Sequence, residues 1–208
     1  MSLKNNMAGK INQFNIVIFG IGGQGQITLL QILAEAAVLD EYDVKTSELH
    51  GLSQRGGSVE VHIRFGKEIF SPLVPKAKGD LILALELQEA LKGLYFANEK
   101  TKFLVNDYFS PILGANFSVE RDLKVLGKLK KRLFLIEASK VCQEKLGKEV
   151  LAGIYLISLA SFKKLLPLKP NSILKAIEKI VPEKYLELNK NTFALAKEVV
   201  DEAKASSA

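Results

Sequence analysis

A chain of 208 residues, 48% hydrophobic and 25% charged, is long enough for one sizeable core and has the make-up of a folded globular protein, not a disordered or fibrous one. Its single cysteine, Cys142, excludes an intrachain disulfide and an iron–sulfur cluster ligated by this chain alone. The formal charge of +6 comes from lysines interspersed with glutamates, which reads as a solvated basic surface and not as a nucleic-acid footprint.

No apolar run reaches the roughly 18 residues that a membrane helix needs. The first ten residues lack the apolar core of a signal peptide, so the expected compartment is the cytoplasm. No linker divides the chain. One domain is expected over 1–208, with residues 1–12 disordered or foreign to it.

Residues 15–19 are apolar and β-branched, as in a central parallel strand covered on both faces. Gly20-Ile21-Gly22-Gly23-Gln24-Gly25 follows, and Ile27, Leu30, Ala34 and Ala37 then recur at helical spacing. With a second strand over 42–49 this makes a βαβ unit whose glycine turn lies at the carboxyl edge of the sheet. In 58–65, Val59, Val61, Ile63 and Phe65 alternate with polar residues, predicting a half-buried strand. Gly66-Lys67 reads as a tight turn returning the chain through 68–71, an inserted antiparallel hairpin ended by Pro72.

Further buried strands are expected at 81–85, 102–105 and 133–136, with a helix behind the first marked by Leu87, Leu91 and Leu94. The loop at Asn106-Asp107-Tyr108 opens at the carboxyl edge. A helix capped by Ser139 and ended by Gly147 comes next, then a largely buried helix over 150–166, stopped by Pro167 and Pro170. Helices over 172–180 and 184–203 close the chain. The expected fold is α/β and Rossmann-like: a mostly parallel sheet with an inserted antiparallel hairpin and a helical C-terminal third.

Glycines 20, 22 and 25 satisfy Gly-x-Gly-x-x-Gly between strand and helix. Without side chains such a turn admits a phosphate to amide N–H groups at the positive end of a helix, although it serves equally to pack a helix tightly on a sheet. Glu48, near the end of the second strand, suits the ribose-binding acid of an NAD site. Arg55 beside Gly56 and Gly57 suits a phosphate or carboxylate, or is a surface arginine in a turn. His50 and His62 have no partner at metal-ligand or acid–base spacing, Cys142 has no feature of a reactive thiol, and Glu86 faces the site or caps the next helix. No nucleophile–base pair, metal cluster or carboxylate dyad emerges.

Taken together, Gly22-Gly23-Gln24-Gly25, the run from Ser47 through His50-Gly51-Leu52-Ser53-Gln54-Arg55-Gly56-Gly57-Ser58 to Val59, and Ser71-Pro72-Leu73-Val74-Pro75 resemble one family. They are similar to the gamma subunit or domain of 2-oxoacid:ferredoxin oxidoreductases, most closely to the small (beta) subunit of the indolepyruvate type. His-Gly-x-x-Gln-Arg-Gly-Gly-Ser is the discriminating run. The resemblance continues more weakly through Glu137-Ala138 and Gly147 to Asn189, Phe193 and Ala194, covering nearly the whole chain. Gly153 and Ser158 stand where the family usually has asparagine and glycine, a departure that bears on the packing or subunit contact of that helix.

The resemblance implies an accessory subunit in the oxidation of a 2-oxoacid with coenzyme A to acyl-CoA, carbon dioxide and reduced ferredoxin. It implies that thiamine diphosphate, magnesium and 4Fe–4S clusters belong to a large partner subunit, and that the isolated chain is inactive. On this reading Gly22, Gly23, Gln24 and Gly25, with Gln54, Arg55, Gly56 and Gly57, help form the region where coenzyme A is received, Arg55 meeting an anionic group. A stand-alone NAD(P)-binding oxidoreductase and a ligand-free interaction module are the alternatives from other classes.

Overall fold

The computed structural model describes residues 11–50, 57–109 and 118–205. Strand β1 (Gln13–Ile21) leads into helix α1 (Gln26–Leu39), followed by β2 (Asp43–His50), β3 (Ser58–Gly66) and β4 (Leu81–Ala84). A 3₁₀ helix (Glu89–Tyr95), β5 (Lys102–Asn106), α2 (Val119–Gly127) and β6 (Leu133–Ile136) come next. The remainder is helical: α3 (Ala138–Leu146), α4 (Ala152–Phe162), α5 (Pro170–Ile180) and α6 (Glu183–Ala205).

The strands form one six-stranded sheet in the order β2-β3-β1-β4-β5-β6. β1, β4, β5 and β6 run parallel, and β3 lies antiparallel to both β1 and β2. The sheet is thus mixed and mostly parallel, as expected, but its pairing differs from the sequence reading in two places. β2 does not lie beside β1, because β3 is inserted between them and pairs with each, Phe65 opposite both Phe14 and Val44. The antiparallel hairpin is therefore β2 with β3, and residues 68–71 form no return strand.

The reason lies in the side chains of β3. Arg64 Nη1 donates to the carbonyls of Ser71 and Leu73 at 2.7 and 3.1 Å, and His62 Nδ1 accepts from Val74 N–H at 3.1 Å. The proline-bearing segment is thus held by side chains of the strand, and its backbone has no ladder to join.

Alternation along β1 divides the core. Ile16 and Ile18 face α1, α4 and α5, whereas Val17 and Phe19 face a smaller cluster with Ile82, Phe103, Phe96 and Leu126. α4 is shorter than its apolar run, yet every residue from Ala152 to Ser161 is buried. At the departure in this helix, a Cβ on Gly153 would stand 2.8 Å from Leu29 Cδ1 of α1, and Ser158 Oγ donates to Ile154 O at 2.7 Å. Pro170 begins α5, where a missing N–H costs nothing, and does not merely end the preceding helix. Gly147, at φ 69°, ends α3 as expected, but the cap at its start is Asn106, whose Oδ1 accepts from Ser139 N–H at 3.2 Å. Among the described residues no helix is long and apolar enough to cross a membrane.

Candidate functional site at the carboxyl edge

β1, β4, β5 and β6 all end at one edge of the sheet, and each is followed by a segment that reaches the same cleft. From β1 comes the glycine turn. Gly23 and Gly25 have φ of 106° and 82°, a left-handed backbone that a side chain would strain, and Gly25 is also the N-cap of α1. Gly20 serves packing, since a Cβ there would run into the side chains of Gln24 and Gln26. The two glycine-bearing segments do meet: Gly22 N–H donates to Gly57 O at 2.9 Å. Gln54, Arg55 and Gly56 lie outside the described residues.

Gln24 is fixed at both ends of its amide. Oε1 accepts from Ile21 N–H at 2.9 Å, and Nε2 donates to Glu86 Oε1 at 2.6 Å. Gln26 Nε2 donates to Ile21 O at 2.7 Å. The amides of Ile21 and Gly22 are therefore already paired within the chain, which leaves the turn less open to a phosphate than its three glycines suggest. Glu86, wholly buried just after β4, does not stand free at the site mouth.

The cleft itself, of about 150 Å³, is lined by Gly23, Gln24, Asn106, Tyr108, Ser139 and Glu149 among others. Asn106, at the end of β5, donates to Leu85 O at 3.1 Å and to Ser139 Oγ at 2.8 Å, so its amide is locked. The Tyr108 phenol is pushed above its ordinary pKa by burial, then by the charges of Glu149 and Glu86, so it stays neutral at physiological pH. At Gln24, Val150 and Gly153 the cleft adjoins a larger, mainly apolar groove of about 570 Å³, between α1, α4 and the start of α6, with Lys148 at its side. The site offers hydrogen bonds and an apolar wall. Among the described residues it holds no group of three His, Cys, Asp or Glu side chains that would ligate a metal.

Other residues flagged in the sequence fall elsewhere. Glu48 lies on the edge strand β2, separated from β1 by β3, and pairs with His50 at 3.7 Å. A ribose-binding acid needs the strand next to the glycine turn, so Glu48 loses that role. His62 is buried as a structural residue, and Cys142 is buried with its thiol pushed up to about 12 by desolvation. Asn106 and Tyr108 belong to a loop that the sequence already places at the carboxyl edge, and Ser139 to a helix start where it was expected as the cap, but neither reading made them site residues; Glu89 and Lys148 were not singled out. Glu89 had a signal in its place three residues after Glu86 at the start of a helical segment.

A mixed sheet with a glycine turn and a locked amide network at its carboxyl edge defines an α/β unit of the class that places ligand sites at that edge. Residues 15–199 match the family model described as pyruvate ferredoxin/flavodoxin oxidoreductase, and the chain belongs to that family. It is 33% identical over 183 residues to indolepyruvate oxidoreductase subunit IorB of Archaeoglobus fulgidus, covering 85% of this chain and 90% of that one. To the subunit of the same name from Thermococcus kodakarensis it is 31% identical over 193 residues, covering 89% and 95%. Both bear out the resemblance read from the glycine segments.

Solved structures share the fold. The gamma subunit of a keto/oxoacid ferredoxin oxidoreductase from Geobacter sulfurreducens superposes with a TM-score of 0.65 at 23% identity, over 89% of this chain and 96% of that one. The 2-oxoglutarate:ferredoxin oxidoreductase of Magnetococcus marinus, solved with 2-oxoglutarate, coenzyme A and succinyl-CoA bound, gives 0.69 at 16% identity, over 92% of this chain but only 31% of the larger one.

Proposed function

We propose that the chain is the accessory subunit of an indolepyruvate-type 2-oxoacid:ferredoxin oxidoreductase, cytoplasmic and active only with a large partner. The assembled enzyme converts a 2-oxoacid and coenzyme A to acyl-CoA, carbon dioxide and reduced ferredoxin. Similarity along almost the full length of two IorB subunits carries this reading. A cleft lined by Gly23, Gln24, Asn106, Tyr108 and Ser139 at the carboxyl edge supports it, since these groups can offer hydrogen bonds to a ligand there.

Thiamine diphosphate, magnesium and 4Fe–4S clusters are assigned to the partner. A cluster does not fit here: the one cysteine is buried with a thiol pKa near 12, and no acidic or histidine group of ligand size exists among the described residues. For this chain the role is to shape the region where coenzyme A meets the reacting centre, through Gly22, Gly23, Gln24 and Gly25 and through Gln54, Arg55, Gly56 and Gly57. Arg55 is the group proposed to meet an anionic part of coenzyme A.

Co-expression with the large subunit tests the assignment. The complex is expected to oxidise indolepyruvate with coenzyme A, and Arg55→Ala is expected to raise the KM for coenzyme A by roughly tenfold, the size of one lost charge-assisted contact. An unchanged KM in an active complex removes Arg55 from that role. Failure of the two chains to assemble removes the subunit reading.

A further inference from the structure

Two carboxylates three residues apart hold both glycine-bearing segments. Glu86 is wholly buried, and its Oε1 accepts from Gln24 Nε2 at 2.6 Å while Gln24 Oε1 accepts from Ile21 N–H at 2.9 Å. Glu89, 8% exposed at the start of the 3₁₀ helix, accepts from Ser58 Oγ at 2.5 Å and from Lys92 Nζ at 2.7 Å. Ser58 directly follows Gly57, whose carbonyl accepts the Gly22 N–H at 2.9 Å. The circuit is closed. Glycine turn, start of β3 and 3₁₀ helix are joined by hydrogen bonds, of which those from Gln24 and Ser58 end on carboxylate oxygens and those from Gly22 and Ile21 on neutral amide oxygens.

The placement matters because Gln24 lines both the smaller cleft and the apolar groove, so its amide sets the wall between them. Gly23 and Gly25 on either side are in left-handed conformations with open space around them, and the Gln24 amide and the Gly22 bond fix the turn together with the bonds that Gln26 Nε2 and Gln24 N–H donate to Ile21 O.

We propose that Glu86 and Glu89 are positioning residues for coenzyme A. Glu86 holds the glycine turn through Gln24, and Glu89 holds the start of β3 through Ser58, at the spacing that admits the acyl acceptor to the cleft. This rests on the reading of the chain as the subunit that receives coenzyme A.

The test uses the assembled enzyme, with indolepyruvate as substrate, methyl viologen as electron acceptor, and coenzyme A and indolepyruvate varied in turn. Gln24→Glu sets a second carboxylate against Glu86. The KM for coenzyme A is expected to rise about tenfold at pH 8, with the KM for indolepyruvate within about twofold. Two carboxylates in contact share a proton as pH falls, so the rise shrinks on acidification. Tyr108, whose phenol feels the charges of Glu149 and Glu86, and Lys148 at the side of the groove are the same in every variant.

The double variant Gln24→Glu/Glu86→Gln rebuilds the chain with its charge moved by one position: the new carboxylate accepts from Ile21 N–H and from the new amide. It is expected to recover the native KM to within about threefold. Glu89→Gln is expected to change the KM for coenzyme A in the same direction as Gln24→Glu. Equal coenzyme A dependence in all variants overturns the proposal, as does a double variant no better than the single one, or both KM values rising together. Indolepyruvate oxidation that needs no coenzyme A even in the native complex overturns the functional reading instead.

Discussion

His62 lies on the face of β3 that alternation marks as polar, yet it is only 2% exposed. Its Nδ1 accepts from Val74 N–H at 3.1 Å, which places the ring proton on Nε2, 2.7 Å from Glu60 Oε1, and the ring stands edge-on to Phe96. Alternation told which residues share a face. It did not tell that a later segment would cover that face, because the cover is made by side-chain bonds between residues of unrelated pattern. Asp80 is a neighbouring case with a consequence in pH. Its Oδ2 accepts from Asn15 N–H at 2.8 Å, but burial outweighs that bond and holds its carboxyl above the ordinary pKa. A raised pKa means that the folded chain binds this proton more tightly than the unfolded one. The contribution is fully present below the ordinary carboxylate value and is lost as pH rises through the folded one. Asp80→Asn keeps an acceptor for Asn15 without the charge. It is expected to unfold at a higher urea concentration than the native chain at pH 7, with the gap closing as pH falls to about 3, where the native carboxyl is protonated. A gap that widens on acidification would reverse the sign assigned to this group.

Element by element, the strands were the most legible part, since short apolar runs of the right length sit at β1, β4, β5 and β6. Their order was not, because period-2 patterning fixes faces and leaves partners open. The leucine spacing after β4 read as a helix but became a 3₁₀ helix of seven residues, where Gly93 lets the backbone lie on Ile82 and Phe103. Helix junctions depend on single polar side chains that no local pattern reveals. Asp40, just past the end of α1, accepts from Lys169 N–H at 2.9 Å and from Ser172 Oγ at 2.7 Å, capping the start of α5 across 129 and 132 residues of sequence. A carboxylate there faces the positive end of α5 and satisfies one amide, that of Lys169, which α5 cannot. Asp40→Ala is expected to destabilise the chain by about 1–3 kcal/mol, the cost of a lost cap with buried donors left unpaired. Urea titration followed by circular dichroism measures it, and a loss well under about 0.5 kcal/mol would mean that water replaces the cap.

At the scale of the whole molecule, the glycine turn and its place at the carboxyl edge were legible because backbone geometry writes itself into sequence as glycine. The clamp on that turn was not, since Gln24 and Glu86 are 62 residues apart and meet only after β1 and β4 have paired. Sharing of the sheet also shapes how the chain unfolds. Ile16 and Ile18 belong to the larger core and Val17 and Phe19 to the smaller, so neither core opens without baring β1 to water. We expect one cooperative unit. Cys142 reports on it: the thiol is fully buried in α3 within the larger core, and desolvation pushes its pKa up to about 12. In the native chain at pH 8 it is therefore both shielded and almost entirely protonated, and a thiolate-directed reagent such as iodoacetamide is expected to leave it unmodified. Unfolding returns it to a free thiol of pKa near 8.5, reactive at the same pH. Labelling of Cys142 across a urea series is then expected to follow the same midpoint as the loss of helical circular dichroism. An earlier labelling midpoint would mean that the helical layer carrying α3 to α6 detaches from the sheet first, dividing the chain into two folding units.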